Sequence, residues 1–279
     1  MKIIQIINNN VVLSEDVKGN EIVVFGKGIG FRGKRGEEIH PEEIRKIYHL
    51  EDNTEKTRIV SLLEEIPYEI INFGLRATEY IAACSVLPIS PRILIPLTDH
   101  IYTAIERAKN HVSFEKGLSW NVRYLYRDEY HTAGDIVDMI KSDFGVDLEP
   151  DETAFIALHI VNAEMGIDLK DTYKATGIID LSVRMIEEYF NIKLDPDNLN
   201  YGRFITHMQF LTKRIITNTF ELEDDEEMIK YTNYRYPDAY NCALKICDAI
   251  REQYQMEINK NEYSYLTIHI ARLLKRGLD

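Results

Sequence analysis

Residues 126–160 read YRDEYHTAGDIVDMIKSDFGVDLEPDETAFIALHI, and residues 236–270 read YPDAYNCALKICDAIREQYQMEINKNEYSYLTIHI. Laid over one another without a gap, they share Tyr126 with Tyr236, Asp128 with Asp238, Tyr130 with Tyr240, Ala133 with Ala243, Ile136 with Ile246 and Asp138 with Asp248. Ile140 then falls on Ile250, Glu152 on Glu262, His159 on His269 and Ile160 on Ile270. Upstream, after a small change of register, His100 and Arg107 align with His207 and Arg214. Each copy thus carries one His near its start and one near its end. Imidazole is the side chain best placed to change state or accept a group near neutral pH, so two copies of one regulatory or chemical device are expected.

Both copies are helical in pattern. Ile59, Leu62, Leu63, Ile66 and Ile70 recur on one face, as do Leu94, Leu97, Ile101 and Ile105, and Pro88, Pro91 and Pro96 break the chain between them. Glu152–Glu164 and Glu262–Leu274 are apolar on most sides and are predicted to be buried helices. The first fifty-odd residues read differently. Lys2–Ile7, Val11–Ser14 and Glu21–Phe25 are strand-like, Val17–Asn20 supplies a turn, and the glycine-punctuated Ile29–Arg32 is taken as a fourth strand. The chain is therefore expected to be multidomain: a small antiparallel β-sheet module at 1–55, then two homologous all-α helical-bundle domains at 60–168 and 172–279. A four-stranded sheet of this size is marginal alone, and dimerisation is the expected remedy.

Composition narrows the classes. No apolar run approaches the roughly 18 residues of a membrane span, so no membrane insertion is expected. Three cysteines (Cys84, Cys242 and Cys247) offer no disulfide framework, which suits a reducing cytoplasm, and the last two read as structural thiols in a helix. A net charge of −13 disfavours a protein that coats nucleic acid over its whole surface but leaves room for a local patch. Such a patch exists between Ile22 and Gly36, where Lys27, Arg32, Lys34 and Arg35 occur without an acid. The acidic run Glu221–Glu227 reads as a solvated loop or helix start.

A single His inside IALHI or LTIHI is more often a hydrogen-bonded core residue than a reactive group, but four at matching places shift the balance. Metal chemistry is poorly supported, because no HxxxH, HxxE or carboxylate cluster accompanies the pairs. Hydrolytic signatures and a phosphate loop are missing, and no cofactor is implied. What remains is phosphoryl acceptance, which would place about two negative charges on a neutral ring. Arg107 and Arg214, two helical turns after the first His of each copy, read either as anion partners or as ordinary surface arginines. In the β-module, Asn8, Asn9 and Asn10 read as a turn between the first two strands. Beside Gly26-Lys27-Gly28-Ile29-Gly30-Phe31 and Arg32, they also read as a patch for structured RNA, with amides for base edges and an aromatic ring for stacking.

At this point a family becomes recognisable. Ile6-Ile7-Asn8-Asn9-Asn10-Val11 and Val23-Val24-Phe25-Gly26-Lys27-Gly28-Ile29-Gly30-Phe31 resemble the RNA-binding co-antiterminator module of the BglG/LicT/SacY transcriptional antiterminators. Leu97-Thr98-Asp99-His100 and Phe155–Ile160 resemble the phosphoacceptor motifs of that family's first regulatory domain, and Arg203–His207 and Tyr265–Ile270 those of its second. The resemblance implies a cytoplasmic homodimer, not an enzyme. It would bind a hairpin (the ribonucleic antiterminator) in a leader mRNA and block an overlapping terminator upstream of sugar-utilisation genes. It further implies control by the sugar phosphotransferase system: a sugar-specific enzyme II inhibits through His100 and His159, and the phosphocarrier HPr activates through His207 and His269. The RNA-contacting positions it implies are Asn8, Asn10, Gly26, Lys27, Phe31 and Arg32. Gln5 stands where the family often has Lys, Lys27 where Arg is common, and Ala271 where Glu often follows the last His. Loss of the planar Arg fork at Lys27 predicts weaker, still salt-dependent RNA binding. The alternative is a phosphorylation-switched regulator that binds another protein and has no RNA activity.

Overall fold

The computed structural model describes residues 1–50, 53–112, 119–219 and 225–274. Four strands, β1 (Ile3–Asn8), β2 (Val11–Glu15), β3 (Glu21–Phe25) and β4 (Lys46–His49), form one antiparallel sheet in chain order. A helical turn, α1 (Ile29–Arg32), lies between β3 and β4. Helices follow to the end: α2 (Asn53–Glu65), α3 (Tyr68–Cys84), α4 (Leu94–Lys109), α5 (Ser119–Leu125), α6 (Arg127–Phe144) and α7 (Glu152–Met165). The remainder are α8 (Leu169–Phe190), α9 (Leu199–Thr217), α10 (Glu226–Arg235), α11 (Pro237–Tyr254) and α12 (Lys260–Leu274). The chain divides into two compact units, one of Met1–Glu115 with Gly134–Glu152, the other of Lys116–Ala133 with Thr153–Asp279.

In the first unit the sheet is a meander. Asn9 and Asn10 turn β1 into β2, and Asp16 Oδ1 accepts from the amides of Lys18 and Asn20 to close the next turn. Val12, Ile22 and Val24 pack with Ile3, Ile29 and Ile39 on one face, while Val11, Leu13, Val23 and Phe25 on the other are equally buried. The central strands are thus covered on both sides within one chain.

The expected strand at Ile29–Arg32 is instead the helical turn α1, and the fourth strand is β4, whose Ile47 and Tyr48 pair with Val24 and Val23. The reason lies in the glycines. Gly28 takes a left-handed conformation (φ 72°) that swings the chain out of β3. A Cβ on Gly30 would lie 2.0 Å from the Asn8 carbonyl oxygen, so only glycine lets α1 settle against the end of β1. The amides of Gly30 and Phe31 then donate to the Asn9 carbonyl. Burial follows a turn of helix, with Ile29 and Gly30 inside and Phe31 and Arg32 outside, and does not alternate as a strand would.

The hydrophobic stripe from Ile59 to Ile70 crosses two helices, α2 ending at Glu65 and α3 starting after Pro67. Pro91 opens a 3₁₀ turn, whereas Pro96 sits inside the first turn of α4, where a missing N–H leaves no helical bond unmade. Helices α3 and α4 approach closely at Gly74, where a Cβ would come within 2.0 Å of Thr98 Oγ1. That hydroxyl is buried and donates to the Leu94 carbonyl, so it cannot readily move aside.

In the second unit, α12 runs through the core with Leu266 and Ile270 fully buried. Asp168 and Asn198 cap α8 and α9 through their side chains, and Asn191, Asn218 and Gln255 end α8, α9 and α11 in the left-handed conformation. Cys242 and Cys247 are buried in α11, and burial pushes both thiols up to about 12, so they serve as small apolar side chains. Of the acidic run, Asp225 caps α10 and Glu226 and Glu227 begin it, while 221–224 lie outside the described residues.

Gly74→Ala is expected to force α3 and α4 apart and destabilise the first unit by about 1–3 kcal/mol. Hydrogen exchange at the α3 and α4 amides is the check, and unchanged protection would rule out the tight contact.

Candidate RNA-binding loop and histidine centres

The loop of the β-module is built from backbone bonds to asparagine. Asn8 Oδ1 accepts from the Asn10 amide at 2.9 Å, and Asn10 Oδ1 accepts from the Gly28 amide at 2.6 Å. Gly26 N donates to the Asn10 carbonyl, which ties the end of β3 to the β1–β2 turn. A Cβ on Gly26 would meet the Glu43 carbonyl oxygen at 2.0 Å. The segments carrying Asn8, Asn10, Gly26, Lys27, Phe31 and Arg32 are therefore joined in one feature, with Gly26 buried within it and Asn8 and Asn10 half-buried. Lys27, Phe31 and Arg32 project from it, and Phe31 is 78% exposed, a large cost for an aromatic ring with nothing to cover it. Arg32 donates to the Lys27 carbonyl at 2.9 Å and lies 3.9 Å from Glu43. Asn8 Nδ2 donates to the Leu63 carbonyl of α2 at 2.9 Å, so the loop is tied to the first helix after the sheet. Lys56 on the same helix pairs with Glu21 on β3 at 2.5 Å.

The histidines sit in two environments. His100, on α4, places Nε2 3.0 Å from Oε2 of Glu152, and Arg107 Nη2 donates to the other oxygen at 2.7 Å. Glu152 is only 3% exposed. Burial alone would raise its carboxyl, but the hydrogen bonds from His100 and Arg107 outweigh that and hold it below the usual range. His159 lies on α7 among Ile156, Ala157, Leu158 and Ile160 and is buried with them.

In the second unit α9 and α12 bring His207 and His269 into contact, their rings stacked at 4.1 Å between centroids and 16° apart. Arg214 grips both oxygens of buried Glu262, Nε at 2.6 Å and Nη2 at 2.8 Å. Among the described residues His207 Nε2 has no hydrogen-bond partner. Burial, then His269 and Arg214, lowers the His207 pKa to about 3, and burial followed by Arg272 lowers that of His269. Both rings are thus neutral near pH 7, with a lone pair to offer an electrophile.

Arg107 and Arg214 are not free surface arginines, since each neutralises an internal glutamate. Glu152 and Glu262 were visible in the sequence as identities between the copies, yet their role was not legible there. Their position relative to the His and Arg of each copy was the available signal. Among the described residues no three His, Cys, Asp or Glu side chains form a group able to hold a metal ion, and no helix is long and apolar enough to cross a membrane.

A compact β-module with an exposed Asn–Gly–Phe loop, followed by duplicated helical domains that carry buried and half-buried histidines, defines an RNA-binding regulator. Comparison with known proteins agrees. Residues 1–57 match the CAT RNA binding domain, and residues 77–163 and 182–273 each match the PRD domain. The transcription antiterminator LicT of Bacillus subtilis is 32% identical over 277 residues, covering 99% of this chain and all of that protein. The beta-glucoside operon antiterminator of Dickeya chrysanthemi is 34% identical over 273 residues, covering 98% and 96%. The crystal structure of GlcT CAT-PRDI superposes with a TM-score of 0.52 at 31% identity, covering 58% of this chain and 97% of that one. The chain belongs to the BglG/LicT family of antiterminators, regulators built from a CAT RNA-binding domain and PRD domains.

Two outcomes follow from the buried charges. Arg214→Ala strands Glu262 in the core and is expected to destabilise the second unit by roughly 2 kcal/mol, less than the roughly 3–5 kcal/mol of a fully buried pair because Arg214 is itself 31% exposed. Urea unfolding followed by hydrogen exchange in α9 and α12 measures it. The second concerns pH. With a folded-state pKa near 3 against 6.5 in the unfolded chain, His207 leaves the unfolded state holding more protons as pH falls. Its contribution is therefore complete above about pH 6.5 and is lost between there and pH 3, at up to about 1.4 kcal/mol per pH unit. His207→Asn should flatten the decline in stability between pH 7 and 5, and an unaltered slope would show that the ring is not buried neutral.

Proposed function

We infer that this protein acts as a transcriptional antiterminator that binds a leader-mRNA hairpin through its β-module and is controlled by phosphorylation of its helical domains. The observation that carries this is the pairing of an exposed Asn–Gly–Phe loop with two helical copies, each holding a buried Arg–Glu ion pair and a pair of inward-lying histidines. In this proposal Asn8, Asn10, Gly26, Lys27, Phe31 and Arg32 contact the RNA. Phe31 stacks on an unpaired base, Gly26 lets the chain bend so that Lys27 reaches the surface, and Lys27 and Arg32 meet phosphates. The occupied hairpin excludes the overlapping terminator, so that transcription of sugar-utilisation genes continues.

The proposed domains are 1–55, 60–168 and 172–279. His100 and His159 take phosphoryl groups from a sugar-specific enzyme II, which holds the protein inactive, and His207 and His269 take them from HPr, which activates it. The physical basis is a change of charge. A neutral ring stacked on another neutral ring, as at His207 and His269, tolerates burial, whereas a phosphoryl dianion there does not. The packing around it must change, and in this scheme that change sets whether two subunits of a cytoplasmic homodimer present one RNA-binding face.

Binding of the protein to the hairpin in the leader of its neighbouring sugar-uptake operon, titrated at two salt concentrations, tests the RNA assignment. Saturable binding that weakens with salt and is lost in Phe31→Ala and Asn10→Ala is expected. Tight binding by both variants would sink the loop assignment, and no binding by folded protein would favour a protein partner instead. In cells with working HPr, alanine at His207 and His269 should abolish antitermination, and alanine at His100 and His159 should make it independent of sugar.

A further inference from the structure

Side-chain contacts in the second unit fix the direction in which α12 runs against α9. Asn200 Nδ2 donates to the Arg272 carbonyl at 3.3 Å, His207 stacks on His269, and Arg214 bonds Glu262. Residue numbers rise along one helix as they fall along the other, so the two are antiparallel. Arg203, one turn before His207, and Arg272, one turn after His269, therefore lie to the same side of the stacked rings. The Arg214–Glu262 pair lies to the other side. Arg203 and Arg272 are both exposed, and among the described residues neither forms an ion pair. The charge of Arg272 reaches His269, adding to burial in lowering its pKa. Side chains three or four positions apart on a helix are neighbours at about 6 Å between Cβ atoms, so each guanidinium can reach a group carried by the histidine beside it. The first copy lacks this flank. Pro96 stands at the position of Arg203 and Asn162 at that of Arg272, and the Asn162 amide donates to the Ile167 carbonyl and to Thr172 Oγ1.

We propose that Arg203 and Arg272 form an anion site, present in the second copy alone, that binds the oxygens of a phosphoryl group on His207 or His269. The proposal rests on those histidines being phosphoacceptors. In the transfer, an imidazole lone pair forms the new N–P bond as the bond from phosphorus to the donor atom breaks, and the donor leaves with that electron pair. The group brings about two negative charges to a half-buried place between helices. Two planar guanidinia with no carboxylate to hold them match its oxygens and draw it toward the exposed side of the rings. Arg214 cannot do this without stranding Glu262, to which it gives two hydrogen bonds. The phosphoryl group of the donor is already anionic as it arrives, so the same arginines favour its approach.

The test treats the full chain with phosphoramidate, a donor too small to need a docking surface and whose P–N bond breaks with release of ammonia, and separately with phospho-HPr. Peptide mass spectrometry follows His207 and His269. Arg203→Gln and Arg272→Gln should each slow the reaction with phosphoramidate roughly tenfold, the size of one lost charge-assisted hydrogen bond. Arg203→Lys and Arg272→Lys should recover part of the rate, because the charge returns without the fork. Thermal unfolding of all four variants should match wild type, since both side chains are exposed. In wild type, phosphorylation by either donor should shift the Nε–Hε NMR signals of Arg203 and Arg272, assigned by their loss in the lysine variants. Signals that stay in place, or glutamine variants that react as fast as wild type, would overturn the proposal. Wild-type protein that takes no phosphoryl group at His207 or His269 from either donor would instead remove the acceptor assignment itself, and the proposal with it.

Discussion

A carboxylate cannot be left alone inside a helical bundle, because the cost of removing its charge from water exceeds what apolar packing returns. Each copy of the helical repeat nevertheless begins its last helix with such a group, Glu152 in one and Glu262 in the other, both nearly inaccessible to solvent. Each is neutralised by an arginine two turns below the first histidine of its copy, Arg107 and Arg214. The pair fixes the helix that carries the first histidine against the start of the last helix. In the first copy the pair also sets an anion beside that histidine, and in the second a guanidinium lies near enough to bear on His207.

The sharing is not the same in the two copies. Glu152 lies 3.0 Å from His100 and also accepts from Arg107, whereas Glu262 gives both oxygens to Arg214, and His207 stacks on the ring of His269. Duplication of sequence has therefore not produced duplicated electrostatics. The difference gives the two histidine sites distinct electrostatic surroundings. One ring lies 3.0 Å from a buried carboxylate, and the other is neutral because it is buried and faces a second imidazole.

The β-module solves a separate problem. Presenting Phe31 to solvent requires a support that does not collapse around it, and the asparagine turn provides one. Asn8 and Asn10 spend their side-chain oxygens on backbone amides, and the Asn9 carbonyl holds the turn of α1. Asn8 also donates to the Leu63 carbonyl, and Lys56 pairs with Glu21, so α2 is bonded to the module at two places. A displacement of α2 cannot leave the loop's hydrogen bonds untouched, which gives the helices after the sheet a direct physical connection to the loop.

Periodicity and duplication alone determined much about this protein: a β-module before helical repeats, the buried faces of α4, α7 and α12, and four histidines at matching places. These are local patterns, and a period of two or of about three and a half residues survives in the sequence whatever the rest of the chain does. The resemblance of the Asn–Gly–Phe segments supplied the family. Tertiary structure decided what local pattern could not. Ile29–Arg32 became a helical turn because the Asn8 carbonyl sits where a side chain on Gly30 would go, and β4 took the vacant edge of β3. Glu152 and Glu262 acquired their roles because folding brings residues 45 and 48 positions apart into one hydrogen bond, a distance over which no sequence period carries information.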